Sequence, residues 1–136
     1  MVRMKYYFDT SVWLAYFNEN EPYHKEALLW FDKIRKEGHE LYVSRMLDGE
    51  MERSQHYQKY LSLSRSFCKM TTLKEADFQK EIEYLKMKGF GSGDIKQIII
   101  CKVNNLNAVT IDIDDWPKIA RELNYFVYYI ADIYLL

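Results

Sequence analysis

The sequence predicts an α/β protein, a three-layer α/β/α sandwich built on a parallel sheet of about five strands. Short apolar runs that suit buried strands alternate along the chain with segments whose apolar residues recur at helical spacing. Several of these runs lead directly into acidic or hydroxyl residues, which commonly start helices. Because consecutive parallel strands need crossover connections, the alternation places helices on both faces of the sheet.

The first half of the chain predicts two strands and three helices. Residues 6–8 form a buried aromatic strand, and a helix covers residues 11–17 after it. The clearest helix lies between Pro22 and Gly38, where the apolar residues at helical spacing are Ala27, Leu28, Phe31 and Ile34. Residues 41–43 predict the second strand, and residues 46 to 60 suit a third helix.

The second half continues the same alternation. Residues 67–70 predict a weaker strand, and Thr72 and Glu75 have the spacing of a capping box that opens a helix ending before Gly89. An apolar helix follows the glycine-rich loop 89–93, residues 108–111 predict a strand, and Pro117 opens a short helix. Residues 125–130 predict the last strand. We expect a single domain over residues 1–136, without a linker or an internal repeat.

The composition excludes several classes of protein. With 19 basic and 20 acidic residues the formal net charge is -1, so nucleic acid would have to bind at a local patch rather than through bulk charge. Two cysteines outside any zinc-binding spacing predict neither a disulfide framework nor a zinc site. The apolar runs are too short for a membrane span and an acidic residue comes too early for a signal peptide, so we expect a cytoplasmic protein without membrane association.

Carboxylates follow the predicted strands at the edge of the sheet where strand-to-helix loops converge. Asp9 and Asp112 each follow a strand directly, and the carboxylates of Glu50 and Asp94, near the starts of helices, can point the same way. Carboxylates brought together raise one another's pKa unless a cation neutralises them. Oxygen ligands of this kind suit Mg²⁺ or Mn²⁺ and leave positions for a phosphate oxygen and an attacking water. The pattern therefore predicts metal-dependent phosphodiester hydrolysis.

At these residues the sequence resembles the PIN-domain family of ribonucleases, and most closely the small VapC-type toxins of toxin–antitoxin pairs. The matching segments are Tyr7-Phe8-Asp9-Thr10-Ser11, Leu41-Tyr42-Val43-Ser44 with Glu50 six positions after the serine, Asp94 before an apolar helix, and Val109-Thr110-Ile111-Asp112. The resemblance covers nearly the whole chain in the same order. It implies a PIN-like fold and an endoribonuclease that uses Mg²⁺ or Mn²⁺, forms a homodimer and is held inactive by a cognate antitoxin.

The resemblance also implies roles for individual residues. The metal-binding and catalytic carboxylates would be Asp9, Glu50, Asp94 and Asp112. The hydroxyls of Thr10, Ser11 and Thr110 would hydrogen-bond a ligand carboxylate, a metal-bound water or a substrate phosphate.

Each carboxylate also has a plainer interpretation. Asp9 and Asp94 stand where helix N-caps stand. Glu50 has competitors in Asp48 and Glu52, since only one side chain of the three points squarely to one side of a helix. Asp112 competes with Asp114 and Asp115, one of which we expect to cap the helix at Pro117.

The best candidate for RNA contact is the segment from Arg53 to Lys69, which contains no acidic residue. Its cations are Arg53, Lys59, Arg65 and Lys69, and aromatic residues on which bases can stack lie between them. A solvated face whose aromatics pack into the core or a dimer interface is the alternative. The twelve tyrosines of the chain predict a self-association or antitoxin surface.

Two other functions remain open at this level. One is a catalytically weak or inactive module of the same fold that binds RNA or protein, an alternative raised by Lys96 and Gln97 beside Asp94, where the family usually has small residues. The other is a receiver-like domain with a phosphorylatable Asp, but the acidic pair that such a domain has near its N-terminus is absent.

Overall fold

The computed structural model describes residues 2–136, in which five strands form one parallel sheet in the order β3-β2-β1-β4-β5. The strands are β1 Lys5–Phe8, β2 Glu40–Ser44, β3 Lys69–Thr71, β4 Asn107–Thr110 and β5 Val127–Tyr129. Helices flank the sheet, so the predicted α/β class and the strand number are confirmed.

Seven α-helices lie in the same described part of the chain. They are α1 Thr10–Phe17, α2 His24–Lys36, α3 Arg45–Met51, α4 Tyr57–Phe67, α5 Gln79–Met87, α6 Ser92–Val103 and α7 Asp115–Glu122. Short 3-10 helices cover Glu75–Phe78 and Ile130–Leu135.

The order of the strands determines where a site can form. β1 lies at the centre of the sheet, where it pairs with β2 on one side and with β4 on the other. Phe8 is in register with Val109, and the backbone N–H of Asp9 donates to the carbonyl of Val109 at 3.1 Å. The strand order reverses beside β1, because the chain runs from β1 to β2 and β3 on one side and then crosses to β4 on the other. Ligands in open α/β sheets bind beyond the strand ends at such a reversal.

A rigid core supports this edge of the sheet. Phe8 of β1, Trp13 of α1, Ile98 of α6 and Val109 of β4 are completely buried. Burial of an apolar side chain of this size contributes about 1.5–3 kcal/mol. Leu28 differs from expectation, because it lies on the exposed side of α2.

The segment predicted as one helix over residues 46 to 60 is two helices, α3 and α4, so that prediction is wrong. Residues 52–56 between them form a turn organised by Ser54. The Ser54 hydroxyl oxygen accepts the N–H of His56 at 3.0 Å, and the Ser54 carbonyl accepts the N–H of Tyr57 at 3.2 Å. Side-chain bonds of this kind compete with the helical pattern and end α3 at Met51.

Two other boundaries also differ from the sequence expectation. The capping box at Thr72 does not form, because the Glu75 carboxylate pairs with the Lys96 ammonium at 3.0 Å and a 3-10 helix precedes α5. The last strand is only Val127–Tyr129, since a 3-10 helix starts at Ile130.

Candidate metal centre

A cleft of about 300 Å³ opens at the carboxyl ends of β1 and β4. It brings together all four carboxylates that the sequence selects. Among the described residues 2–136, no Lys, Arg or His lines this cleft. The lining residues are Asp9, Thr10, Ser11, Leu14, Glu50, Asp94, Gln97, Asp112 and Trp116.

Asp9 lies at the base of the cleft and is only 4 % exposed. Its Oδ1 accepts the hydroxyl of Ser11 and the backbone N–H of Val12 at 3.1 Å, and its Oδ2 accepts the hydroxyl of Thr110. The bond to Val12 makes Asp9 the N-cap of α1, so it has the plainer role that the sequence allows. A carboxylate has about four acceptor positions, so three protein donors leave one for a ligand.

Burial in the protein raises the pKa of Asp9 to about 6. Hydrogen bonds from Ser11, Thr110 and the Val12 backbone pull the pKa down, whereas the nearby charge of Asp94 raises it further. The three hydrogen bonds therefore offset only part of the cost of burying the Asp9 carboxylate, and a bound cation would offset the rest.

Glu50 reaches the cleft from the last turn of α3. Its Oε2 accepts from the Thr10 hydroxyl at 3.1 Å and from the side-chain amide of Gln97. Of its two competitors, Asp48 is held by the Tyr60 hydroxyl and the Arg65 guanidinium, each at 2.6 Å, and Glu52 is exposed at the end of α3. Burial followed by the charge of Asp94 raises the pKa of Glu50, although the Thr10 bond lowers it.

Asp94 lies inside the first turn of α6 and is not its N-cap, a position that Gly91 occupies. The indole N–H of Trp116 donates to Asp94 Oδ1 at 3.0 Å. Burial, with the charges of Asp112 and Asp115, raises the pKa of Asp94, whereas the Trp116 bond lowers it.

Asp112 follows β4 and organises the start of α7. Its Oδ1 accepts the backbone N–H of Asp114 at 2.8 Å, and its Oδ2 accepts that of Trp116 at 3.1 Å. Neither Asp114 nor Asp115 provides the expected side-chain cap for α7, because Asp112 takes that role.

Asp115, which the sequence leaves open as either a competitor of Asp112 or a helix cap, belongs to a cluster of carboxylates at the cleft. Oxygens of Asp94, Asp112 and Asp115 lie within 4.8 Å of one another. Asp115 is three positions after Asp112, a spacing that was visible in the sequence but carried no sign of which aspartate turns inwards. Gln97 and Trp116 were also missed as residues of the cleft.

The three predicted hydroxyl residues all bond to carboxylates of the cleft. Thr10 donates to Glu50, and Ser11 and Thr110 donate to Asp9. The Ser11 and Thr110 oxygens also accept backbone N–H groups of residues 111 and 112, at 3.4 and 3.0 Å. These bonds fix the loop after β4 against the start of α1.

The donor set fits a hard divalent cation. Every charged side chain that lines the cleft is a carboxylate, and Mg²⁺ and Mn²⁺ prefer oxygen ligands. Burial and mutual repulsion raise the pKa of Asp9, Glu50 and Asp94, which is the state that a bound cation relieves.

The four cations selected for RNA contact are all exposed, but two of them are in ion pairs. Arg65 contacts Asp48 at 2.6 Å, and Lys69 contacts Glu40. Both acidic partners lie outside the segment from Arg53 to Lys69, so the absence of acidic residues within it did not reveal these pairs. In the described residues 2–136, no helix is long and apolar enough to cross a membrane.

Fold and site together define an α/β protein with a parallel sheet and a carboxylate-lined cleft at the point where the strand order reverses. The sequence matches the PIN domain family over residues 6–122, so the chain belongs to that family. The predicted family is thereby confirmed.

The fold is also similar to that of VapC20 from Mycobacterium tuberculosis, whose crystal structure is described as that of a toxin that cleaves the sarcin–ricin loop. The match has a TM-score of 0.60 at 17 % sequence identity, and covers 82 % of this chain and 92 % of VapC20. No curated protein sequence matches this chain. At this identity the likeness shows a shared fold alone.

Proposed function

We propose that the protein is a Mg²⁺- or Mn²⁺-dependent endoribonuclease and the toxin of a VapBC-type toxin–antitoxin pair. One observation carries the proposal: Asp9, Glu50, Asp94 and Asp112, from four separate parts of the chain, line one cleft that has no cationic side chain among the described residues. Membership of the PIN domain family and the VapC-like fold support the same activity.

In the proposed reaction a bound divalent ion would polarise a phosphate oxygen and lower the pKa of a water molecule. The four carboxylates would hold the ion through oxygens that protein donors leave open. A bound cation would offset the burial and repulsion that raise the pKa of Asp9, Glu50 and Asp94, so the carboxylates of the cleft would be ionised and able to accept a proton. Orienting and deprotonating an attacking water requires such a group.

The proposed substrate is single-stranded or looped RNA, because its unstacked bases can be splayed out and leave the backbone accessible to an open cleft. Arg53 and Lys59 are exposed on the predicted contact segment and would meet phosphates of the RNA. A cognate antitoxin, a homodimer and a cytoplasmic location belong to the same proposal through the family resemblance.

Cleavage of a mixed-sequence RNA by the purified protein tests the proposal, with Mg²⁺, Mn²⁺ or EDTA present. Asp9→Asn and Glu50→Gln should each lower the rate by about a hundredfold or more. Matched controls are Asp77→Asn and Glu81→Gln, two exposed carboxylates of the 3-10 helix before α5 and of α5 itself. These controls should cleave at the rate of the unaltered protein.

Cleavage that persists in EDTA, or that Asp9→Asn and Glu50→Gln leave unchanged, would contradict the proposal. Metal-independent RNA binding without cleavage by the unaltered protein would instead favour the RNA-binding module of the same fold.

A further inference from the structure

A buried glutamine in the cleft has no part in the chemistry described so far. Gln97 lies on α6 three residues after Asp94, so the two side chains project from the same side of the helix. Gln97 is 1 % exposed, and a buried amide requires hydrogen-bond partners for both its oxygen and its nitrogen.

The partners of Gln97 come from distant parts of the chain. Its Nε2 donates to Glu50 Oε2, and its Oε1 accepts the hydroxyl of Tyr7 at 2.9 Å. The Tyr7 oxygen lies 2.7 Å from the Ser44 hydroxyl, and the Ser44 oxygen accepts the backbone N–H of Leu47 at 3.2 Å. These bonds join the centre of the sheet to the helix that carries Glu50.

The chemistry of the groups fixes the direction of every bond in this series. An ionised carboxylate only accepts, so the amide nitrogen of Gln97 must face Glu50 and its oxygen must face Tyr7. Tyr7 then donates to Gln97, and the Ser44 hydroxyl must donate to Tyr7. The buried network therefore presents an N–H group to Glu50 at a defined position.

The consequence for Glu50 is that its two oxygens are not equivalent. Oε2 receives donors from both Thr10 and Gln97, whereas no donor among the described residues bonds to Oε1. The open Oε1 lies 3.8 Å from the point where a side-chain carbon on Gly93 would stand. Because Gly93 has no side chain, the space beside Oε1 stays free.

We propose that Gln97 is a positioning residue, which with Tyr7 and Ser44 holds the Glu50 carboxylate by one oxygen and leaves the other open to bind the divalent cation. This inference rests on the proposed metal site. The fully buried Tyr7 ties the position of Gln97 to the rigid central strand, so Glu50 is held in place before the cation arrives.

The test is a double-mutant cycle read out as Mn²⁺ affinity, with free Mn²⁺ measured by electron paramagnetic resonance. Gln97→Met keeps the length of the side chain and removes its donor. In the unaltered background this change should weaken Mn²⁺ binding by about tenfold to a hundredfold, the usual effect of losing a group that orients a metal ligand. In a Glu50→Gln background it should weaken binding by about twofold or less, because Gln97 acts through Glu50.

Gln79→Met is the matched control, because Gln79 also donates to a glutamate, Glu83 at 2.8 Å, but on the exposed face of α5. Its Mn²⁺ affinity should equal that of the unaltered protein. Tyr7→Phe provides a second variant that leaves Gln97 in place and removes only the hydroxyl that orients it. This variant should weaken Mn²⁺ binding in the same direction, by about threefold to tenfold.

Several results would overturn the inference. One is a Gln97→Met protein that folds and binds Mn²⁺ as tightly as the unaltered protein. Another is a loss of affinity of the same size with and without Glu50, which would mean a general structural effect. Absence of Mn²⁺ binding by the unaltered protein would refute the metal site and this inference together. Failure to cleave RNA, with the cycle as expected, would refute the nuclease and support the positioning role.

Discussion

Replacing Asp9 by asparagine should stabilise the metal-free protein near neutral pH, although it removes a carboxylate from the base of the cleft. Burial raises the pKa of Asp9 from 3.8 to about 6, since three hydrogen bonds only partly offset the loss of solvent. One pKa unit corresponds to about 1.4 kcal/mol. Keeping Asp9 ionised in the folded protein therefore costs about 3 kcal/mol, which a neutral asparagine avoids.

The pH dependence of this effect has a defined sign. The folded-state pKa of Asp9 is higher than the unfolded-state value, so the folded protein binds the extra proton. The stabilisation that comes from this extra proton on Asp9 is fully present below pH 3.8 and is lost as the pH rises through about 6. The free energy of unfolding of Asp9→Asn, relative to the unaltered protein, should accordingly increase between these two pH values and become constant above them.

The geometry around Asp9 can accept the amide. Asparagine Oδ1 can keep the bonds from Ser11 and the Val12 backbone, and Asn is as good an N-cap as Asp. Its Nδ2 can donate to the Thr110 hydroxyl oxygen, which has a second lone pair for the N–H of Asp112. The exchange should therefore cost little of the stability that neutralisation supplies.

Urea unfolding in EDTA and in Mn²⁺ measures both parts of the prediction. In EDTA near neutral pH the asparagine variant should be more stable than the unaltered protein by about 1–3 kcal/mol, allowing for altered hydrogen bonds. Mn²⁺ at a hundred times its dissociation constant should add about 2.7 kcal/mol to the unaltered protein and much less to the variant. A variant that is less stable in EDTA and gains equally from Mn²⁺ would mean that Asp9 is only a helix cap.

Two further changes separate the roles of residues at and near the cleft. Trp116→Phe removes the indole N–H that bonds to Asp94 and leaves a smaller aromatic ring, so titration calorimetry should show Mn²⁺ affinity lower by about tenfold. Unchanged affinity would refute a supporting role for the indole. Arg65→Gln removes the partly exposed ion pair with Asp48 and should lower the free energy of unfolding by about 0.5–1 kcal/mol without changing RNA affinity. Lys59→Gln, in contrast, should weaken RNA binding and reduce the salt dependence of that binding by about one counterion. Filter-binding titrations at several salt concentrations compare the two, and equal RNA affinities for both variants would remove Lys59 from the contact surface.

The sequence was sufficient to predict the fold because β1, β2 and β4 coincide with short apolar runs that are followed closely by a serine or an aspartate that starts a helix. The run at residues 6–8 followed by Asp9 shows this most clearly. Local competition limited the detail. Ser54 divides a predicted helix in two through a side-chain hydrogen bond that the spacing of apolar residues cannot predict. Glu75 does not cap a helix, because its carboxylate pairs with Lys96 on another helix.

The gathering of four carboxylates in one cleft was predictable, because strand ends bring Asp9 and Asp112 to one edge of the sheet. What the sequence could not supply was the direction of individual side chains. Gln97 looked like a departure from its family, and its bonds depend on Tyr7, which lies ninety positions away. Asp115 and Asp112 could not be told apart before the turn at the start of α7 was known.

The most direct test of the metal centre is a crystal of the protein soaked in Mn²⁺ and measured for anomalous scattering. We expect a strong peak in the cleft, within about 2.0–2.4 Å of carboxylate oxygens from Asp9, Glu50, Asp94 or Asp112, and no such peak in Asp9→Asn crystals. An empty cleft at saturating Mn²⁺, or a peak only at carboxylates elsewhere on the surface, would contradict the proposed metal centre.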